Sequence, residues 1–227
     1  GRYFIQAAAQ IEGTSIEMMK MGKPGVPTID EYLKEAIPEN GTLGFDGRVV
    51  AMGSGRLYEE IVEKKHGKIE YAYDLVGEIW EDRPELSKEP VFALEEKYTG
   101  ESTASKLKRI REKMAENQAT VHVLTTLDDI CWTLNIRGND IEFFPLVLSY
   151  AVITMEQVHL YIDESKIDEE IKASFEKDGI VLHPYNDIYE DIKAYGAEET
   201  FLIDPIRLNY ALYSNICSNE KKVEAQN

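Results

Sequence analysis

Leu127-Asp128-Asp129-Ile130-Cys131-Trp132-Thr133-Leu134-Asn135-Ile136-Arg137-Gly138-Asn139-Asp140, continuing as Ile141-Glu142-Phe143-Phe144-Pro145-Leu146-Val147-Leu148-Ser149-Tyr150, is the least generic part of this 227-residue chain. Thr126 stands where a helix N-cap is needed, with Asp129 three residues on, near the positive helix end. Leu127, Ile130 and Leu134 share one face, and Asn135 is placed to stop the helix. The loop Arg137-Gly138-Asn139-Asp140 then sets a fixed cation and a carboxylate between two apolar segments, where each needs a partner or a cavity. A strand over 147–154 is expected to follow directly.

The loop admits two readings. Arg137 can fork onto a carboxylate of a peptide or a neighbouring domain, with Asp140 balancing it. Alternatively, Arg137 and Asp140 staple their own loop across Gly138, while Asn135 satisfies backbone groups at the helix end. Trp132 is expected in the core, and Tyr150 and Phe143-Phe144 under the following strand.

Downstream, residues 147–154 and 158–162 are close enough to pair as a hairpin around Met155-Glu156-Gln157. Ser165 is expected to cap a helix that buries Ile167, Ile171 and Phe175 and ends at Asp178-Gly179. A strand over 180–185, a helix through Ile188 and Ile192, and a strand over 200–203 come next. Asp204-Pro205 is read as the start of the last helix, because proline lacks a donor that a first turn does not use. Upstream, Ala104, Leu107, Ile110 and Met114 mark a helix, and residues 120–125 a strand.

Nearer the start, Thr28-Ile29-Asp30-Glu31 has the capping-box form, and Ile29, Tyr32, Leu33 and Ile37 follow at helical spacing. Residues 42–46 and 69–73 read as strands, with Leu57, Ile61 and Val62 on a helix between them. Asp74 caps a turn carrying Leu75, Ile79 and Trp80. Residues 83–100 are charged, contain Pro84 and Pro90, and read as an interdomain linker. The expected organisation is 1–82, the later part of a first domain; 83–100, the linker; 101–216, a second or middle domain; and 217–227, a polar, frayed tail. The halves read as one repeated unit, with Gly1-Arg2-Tyr3 answering to Tyr161-Ile162-Asp163, so the first domain is expected to lack its beginning.

The formal charge of −17 argues against a nucleic-acid surface, which needs clustered cations, and leaves a basic partner open. The two cysteines, Cys131 and Cys217, suggest neither a disulfide framework nor a zinc site. No apolar run is long enough to span a membrane and the first residues lack a signal-peptide pattern, so a reducing cytoplasmic setting is expected. The four histidines, His66, His122, His159 and His183, are scattered, none at i, i+4 with another ligand on an expected helix. No catalytic residue and no metal ligand is therefore expected. Cys131 lies in an apolar helix that disfavours a thiolate, Ser149 has no base nearby in sequence, and the glycine turns at 22–25 and 53–56 lack phosphate-loop spacing.

The pattern Leu-Asp-Asp-Ile-x-Trp-x-Leu-Asn-x-Arg-Gly-x-Asp at 127–140, followed by Pro-x-x-x-Ser-Tyr at 145–150, resembles the middle domain of long, three-domain Xaa-Pro aminopeptidases of the creatinase group. Gly1-Arg2-Tyr3-Phe4-Ile5-Gln6-Ala7, the stretch 21–28, Ile79-Trp80-Glu81-Asp82-Arg83-Pro84, Asp204-Pro205 and 209–213 match in order, and several motifs in the right order are far more specific than any one. Cys131 departs from the small residue common in that family. The resemblance implies an α/β chain of two tandem creatinase N-terminal-like, ribonuclease-H-like domains with mixed sheets flanked by helices. It also implies a further C-terminal domain with two manganese ions or similar metals, held by Asp, Asp, His, Glu and Glu, that removes the first residue from peptides with proline second. None of those ligands has a counterpart here, so no cofactor is expected in this chain. The implied partners are that catalytic domain of the same polypeptide, the peptide substrate and a homodimer mate, with a lid over the cleft as the role. Asn135, Arg137, Gly138 and Asp140 are the candidate residues for the cleft or the domain interface. The competing reading is an inactive peptide- or protein-binding module whose acidic surface meets a basic partner.

Overall fold

The computed structural model describes residues 2–216 and 221–225; Gly1, Cys217 and the ends of the expected tail lie outside the described residues. The chain divides into two compact units, Gly1–Gly44 with Arg56–Glu70, and Phe45–Gly55 with Tyr71–Asn227.

The smaller unit carries α1 (Arg2–Gln10), α2 (Ile29–Ala36), β1 (Thr42–Gly44), most of α3 (Met52–Glu63) and β2 (Lys68–Glu70). The expected capping box is present: Glu31 N–H donates to Thr28 Oγ1 at 3.4 Å, and Thr28 N–H to the Glu31 carboxylate at 2.8 Å. β1 and β2 pair in parallel, and Ile37, Ile61 and Val62 form a small core with Leu33, Leu43 and Ile69 against it. The proposed equivalence of the first residues to Tyr161-Ile162-Asp163 does not hold at the level of elements. Arg2–Gln10 is helical, with Tyr3 and Ile5 exposed, whereas Tyr161 ends a strand.

The larger unit runs α4 (Leu75–Ile79), β3 (Phe92–Ala93), α5 (Glu96–Thr99), α6 (Thr103–Glu116), β4 (Val121–Leu124), α7 (Leu127–Thr133) and β5 (Ile136–Arg137). Then come β6 (Tyr150–Thr154), β7 (Val158–Tyr161), α8 (Glu169–Lys177), β8 (Ile180–His183), α9 (Ile188–Asp191), β9 (Thr200–Ile203), α10 (Tyr210–Asn215) and β10 (Lys221–Glu224). Its sheet has the order β10-β9-β4-β6-β7-β8 and is mixed: β4/β6 and β6/β7 pair antiparallel, the other neighbours parallel. Alternation along each strand divides the apolar residues between two layers. Ala151, Ile153, Val158, Leu160 and Leu202 face α6, α7 and α8, packing with Leu107, Met114, Ile130, Ile171 and Phe175. Val121, Val123, Val152, Phe201 and Ile203 face α9 and α10, with Ile188, Ile192 and Leu212. The α/β class with mixed sheets and flanking helices is thus as expected.

Several local expectations change. Residues 83–100 are not featureless, because Phe92–Ala93 pairs antiparallel with Ile136–Arg137 and Gly100, at φ 75°, closes α5. The strand after the signature loop begins at Tyr150 rather than 147. The cap of α8 is Asp168, not Ser165; Asp163 instead caps a 3-10 turn, Glu164–Lys166. The last helix starts after Asn209, whose side chain takes the Leu212 N–H at 2.9 Å, and Asp204-Pro205 opens a preceding turn. Lys221–Glu224, expected to fray, is a strand because it finds the free flank of β9. Among the described residues no helix is long and apolar enough to cross a membrane.

Candidate functional site around the signature loop

Asn135 ends α7 in the left-handed region, φ 54°, a conformation that asparagine tolerates better than most residues. Its side chain does not satisfy its own helix end. Nδ2 donates to Glu101 O at 2.9 Å, and Oδ1 accepts from Lys106 Nζ at 2.6 Å. The same ammonium donates to Trp132 O at 2.6 Å, placing a cation at the negative end of α7. Lys106 is only 1% exposed, and burial lowers its pKa, opposed by the nearby Glu101 carboxylate. Trp132, expected in the core, is half exposed, with the Lys106 ammonium 4.3 Å and the Arg109 guanidinium 5.7 Å from its ring centre. Both cations sit within cation–π range.

Arg137 and Asp140 do not pair. Arg137 Nη1 donates to Cys131 O at 2.8 Å and Ile136 O at 2.7 Å, and its remaining donors have no partner among the described residues. Asp140 turns inward to Lys166, both side chains essentially inaccessible at 0% and 1%. The Leu148 N–H reaches the same carboxylate oxygen at 2.7 Å, while Oδ1 is buried without a partner among the described residues. The own-loop staple fails because a carboxylate placed in a dry interior binds the cation that is buried with it.

Gly138 lies between them where the chain passes closest to Val147. A Cβ there would stand 2.9 Å from Val147 Cγ2. The Asp140 N–H donates to Leu146 O at 3.3 Å, folding the loop onto itself. Its tip is apolar and exposed: Phe143, at φ 68°, is 91% exposed and Phe144 63%, so the expected burial of this pair under the following strand does not occur. Tyr150 is half-buried, its hydroxyl 3.1 Å from that of Tyr189, and burial pushes its pKa up. The loop thus brings Asn135, Arg137, Gly138 and Asp140 together in one turn of chain, but only Arg137 keeps donors for something else.

The nucleophile candidates fall away. Cys131 is buried and burial raises its pKa, although the Val147 backbone and Arg137 pull the other way. Ser149 is fully buried, its hydroxyl donating to Val147 O at 3.1 Å. Among the described residues no three His, Cys, Asp or Glu side chains converge as a metal-binding group. Sequence reasoning missed Lys106 and Lys166. Lys106 carried a signal, being four residues before Ile110 on the apolar face of its helix; Lys166 carried none.

Residues 82–227 match the family model of the creatinase/prolidase N-terminal domain. The chain is 36% identical over 190 residues to the Xaa-Pro aminopeptidase of Caenorhabditis elegans, covering 83% of this chain and 31% of that protein. It is 34% identical over 218 residues to aminopeptidase P2 of Arabidopsis thaliana, 94% of this chain and 31% of that one. The crystal structure of the X-prolyl aminopeptidase from Caenorhabditis elegans, a cytosolic enzyme with a di-nuclear active site, superposes with a TM-score of 0.92 at 33% identity. It covers 100% of this chain and 38% of that one. The chain therefore spans about a third of the length of these relatives. The chain belongs to the creatinase/prolidase N-terminal domain family and is homologous to the N-terminal region of the aminopeptidase P enzymes.

Proposed function

We propose that this chain is the non-catalytic N-terminal and middle region of a metal-dependent Xaa-Pro aminopeptidase. The full enzyme would remove the first residue of peptides with proline second, in a cytoplasmic setting like that of the Caenorhabditis elegans relative. The catalytic domain of the same polypeptide would hold two manganese or similar ions and supply the metal-bound nucleophile. This region would cover the cleft, exclude long or folded substrates and support subunit contacts in a homodimer.

The observation that carries the reading is the divided use of the Arg137 guanidinium. One nitrogen is locked onto the Cys131 and Ile136 carbonyls while the remaining donors have no partner among the described residues. A guanidinium held on one side and open on the other is pre-positioned to fork onto a carboxylate, such as a peptide C-terminus. Asn135, Gly138 and Asp140 hold the turn that presents it.

The test is mass spectrometry of an Xaa-Pro peptide incubated with the purified chain and manganese, beside an enzyme carrying the further domain. The chain alone is expected to be inactive and the longer enzyme active. In the longer enzyme Arg137→Lys is expected to raise KM with little change in kcat, because bidentate binding is lost and the chemistry is untouched. Chelator-sensitive turnover by the chain alone refutes the reading.

A second reading, an inactive module for a basic peptide, rests on a groove of about 560 Å³ beside β3. Its apolar floor of Leu94, Ile136 and Phe175 is rimmed by Glu95, Glu96, Asp168, Glu170 and Asp178, with Lys177 the one cation in the lining among the described residues. Binding of a Lys/Arg-rich peptide that weakens with salt would favour it over the lid.

A further inference from the structure

On the far side of the sheet from the α6–α8 layer, the parallel register of β7 and β8 sets Tyr161 opposite His183 and His159 opposite Val181. Side chains two apart on a strand share a face, so both imidazoles emerge on the same side of neighbouring strands. His159 Nδ1 lies 3.0 Å from His183 Nε2. The Tyr161 ring stacks on His183 at 4.9 Å and 24°, fixing the plane of that imidazole. Asp191 Oδ2 stands 3.7 Å from His183 Nδ1, the nitrogen on the other side of the ring. These groups, with Ala194 and Tyr195, line a hollow of about 260 Å³ open to solvent.

A neutral imidazole carries one N–H and one lone pair. Asp191, at 3.7 Å too far for a direct hydrogen bond, favours the proton on His183 Nδ1 by its charge, and that tautomer leaves Nε2 as the acceptor facing His159. We propose that His159 Nδ1 and His183 Nε2 are ligands for a divalent ion of the nickel, copper and zinc class, with Asp191 orienting His183 from behind and waters in the remaining positions. Two nitrogens each about 2.0–2.1 Å from one ion lie about 2.9 Å apart at a right angle and about 3.4 Å apart at the tetrahedral angle. The observed separation suits the right-angled arrangement of tetragonal nickel or copper as it stands, and zinc after a small opening. On binding, the proton of His159 Nδ1 moves to its Nε2, so no net proton is released.

The carboxylate behind a ligating imidazole is the usual second partner that fixes tautomer and ring direction. Burial, and then the neighbouring His183, keep His159 in its neutral, ligating form. Tyr195 is pushed up to about 12 by burial and by Glu199 and Asp191, so it stays a phenol and does not compete as a ligand. The ion would bridge β7 to the edge strand β8. Its ligands are separate from the signature loop, so the site stands or falls independently of the aminopeptidase reading.

The test is calorimetric titration of the untagged chain with nickel sulfate and zinc sulfate at pH 7.5, with imidazole nitrogen–proton correlation spectra recorded alongside. One saturable site is expected, with the His159 and His183 signals perturbed and those of His66 and His122 unmoved. His159→Gln and His183→Gln should each weaken binding at least tenfold, and Asp191→Asn by roughly tenfold. If a variant fails to fold, the wild-type imidazole spectra decide alone. No saturable uptake, or perturbation centred on other histidines, overturns the site and leaves the pair as two imidazoles sharing a proton.

Discussion

At the scale of single residues, the buried contact between Asp140 and Lys166 matters most to the signature loop, since it holds the inner half of the turn that carries Arg137. Lys166→Met strands a carboxylate in a dry interior where Oδ1 already lacks a partner, and should cost about 3–5 kcal/mol in urea unfolding. The double variant Lys166→Met/Asp140→Leu should regain most of that loss, since an apolar pair of similar volume avoids the desolvation of both charges. A single-variant loss under about 1 kcal/mol would mean that the pair is not buried as described. The sequence made Asp140's need for a partner legible, because a carboxylate between apolar segments has no stable unpaired state. It did not reveal which cation, since Lys166 lies 26 positions away and nothing local ties them. Arg137, three residues off, was the nearer choice and the wrong one. Trp132 and Phe143 were misplaced for a related reason. Apolar character favours burial, but the residue's direction on a seven-residue helix or loop tip is set by contacts from elsewhere in the chain.

At the scale of elements, the histidines make the sheet sensitive to acid. Burial lowers the pKa of both His122 and His159, so the folded state prefers their neutral forms more strongly than the unfolded chain does. The unfolded state then binds more protons around its own pKa of about 6.5, and stability rises with pH through that region. The contribution is complete above it and fades as pH falls toward the lowered folded values. Urea midpoints at pH 5 and pH 7.5 should differ in that direction, with His159→Gln flattening the slope; an unchanged slope removes His159 from the account. The β6/β7 hairpin was readable because alternating apolar residues flank a short turn, and the α2 capping box because its pattern is local. The start of α8 was not. Asp163, Ser165 and Asp168 all offer capping oxygens, and the structure uses two of them in series: Asp163 caps the 3-10 turn and Asp168, taking the Ile171 N–H at 2.8 Å, caps the helix.

At the scale of the whole molecule, a formal charge of −17 repels itself more in the compact state than in the expanded one. Raising sodium chloride from low millimolar to physiological strength should therefore raise Tm, since the Debye length shrinks from roughly 30 Å toward 8 Å. A Tm that falls would mean that the carboxylates are mostly paired with lysine and arginine. The α/β class and the family were legible because ordered motifs span nearly the entire chain. Residues 83–100 were read as a linker since their charge and prolines mask a strand two residues long, which carries no periodicity of its own. Lys221–Glu224 is likewise polar by composition, and its strand exists only through pairing with β9.

The exposed pair Phe143-Phe144 gives the loop a further use as a gauge. Chymotrypsin can cleave after Phe143, while Pro145 blocks the bond after Phe144, yet it must draw several residues on either side into extended form. Here the flanks are fastened by the Asp140 N–H to Leu146 O and by the Asp140 carboxylate to Lys166 and Leu148. Nicking at this tip should be slow in the native chain and much faster in Lys166→Met, so a timed digestion on a gel reports how often, on average, the turn opens.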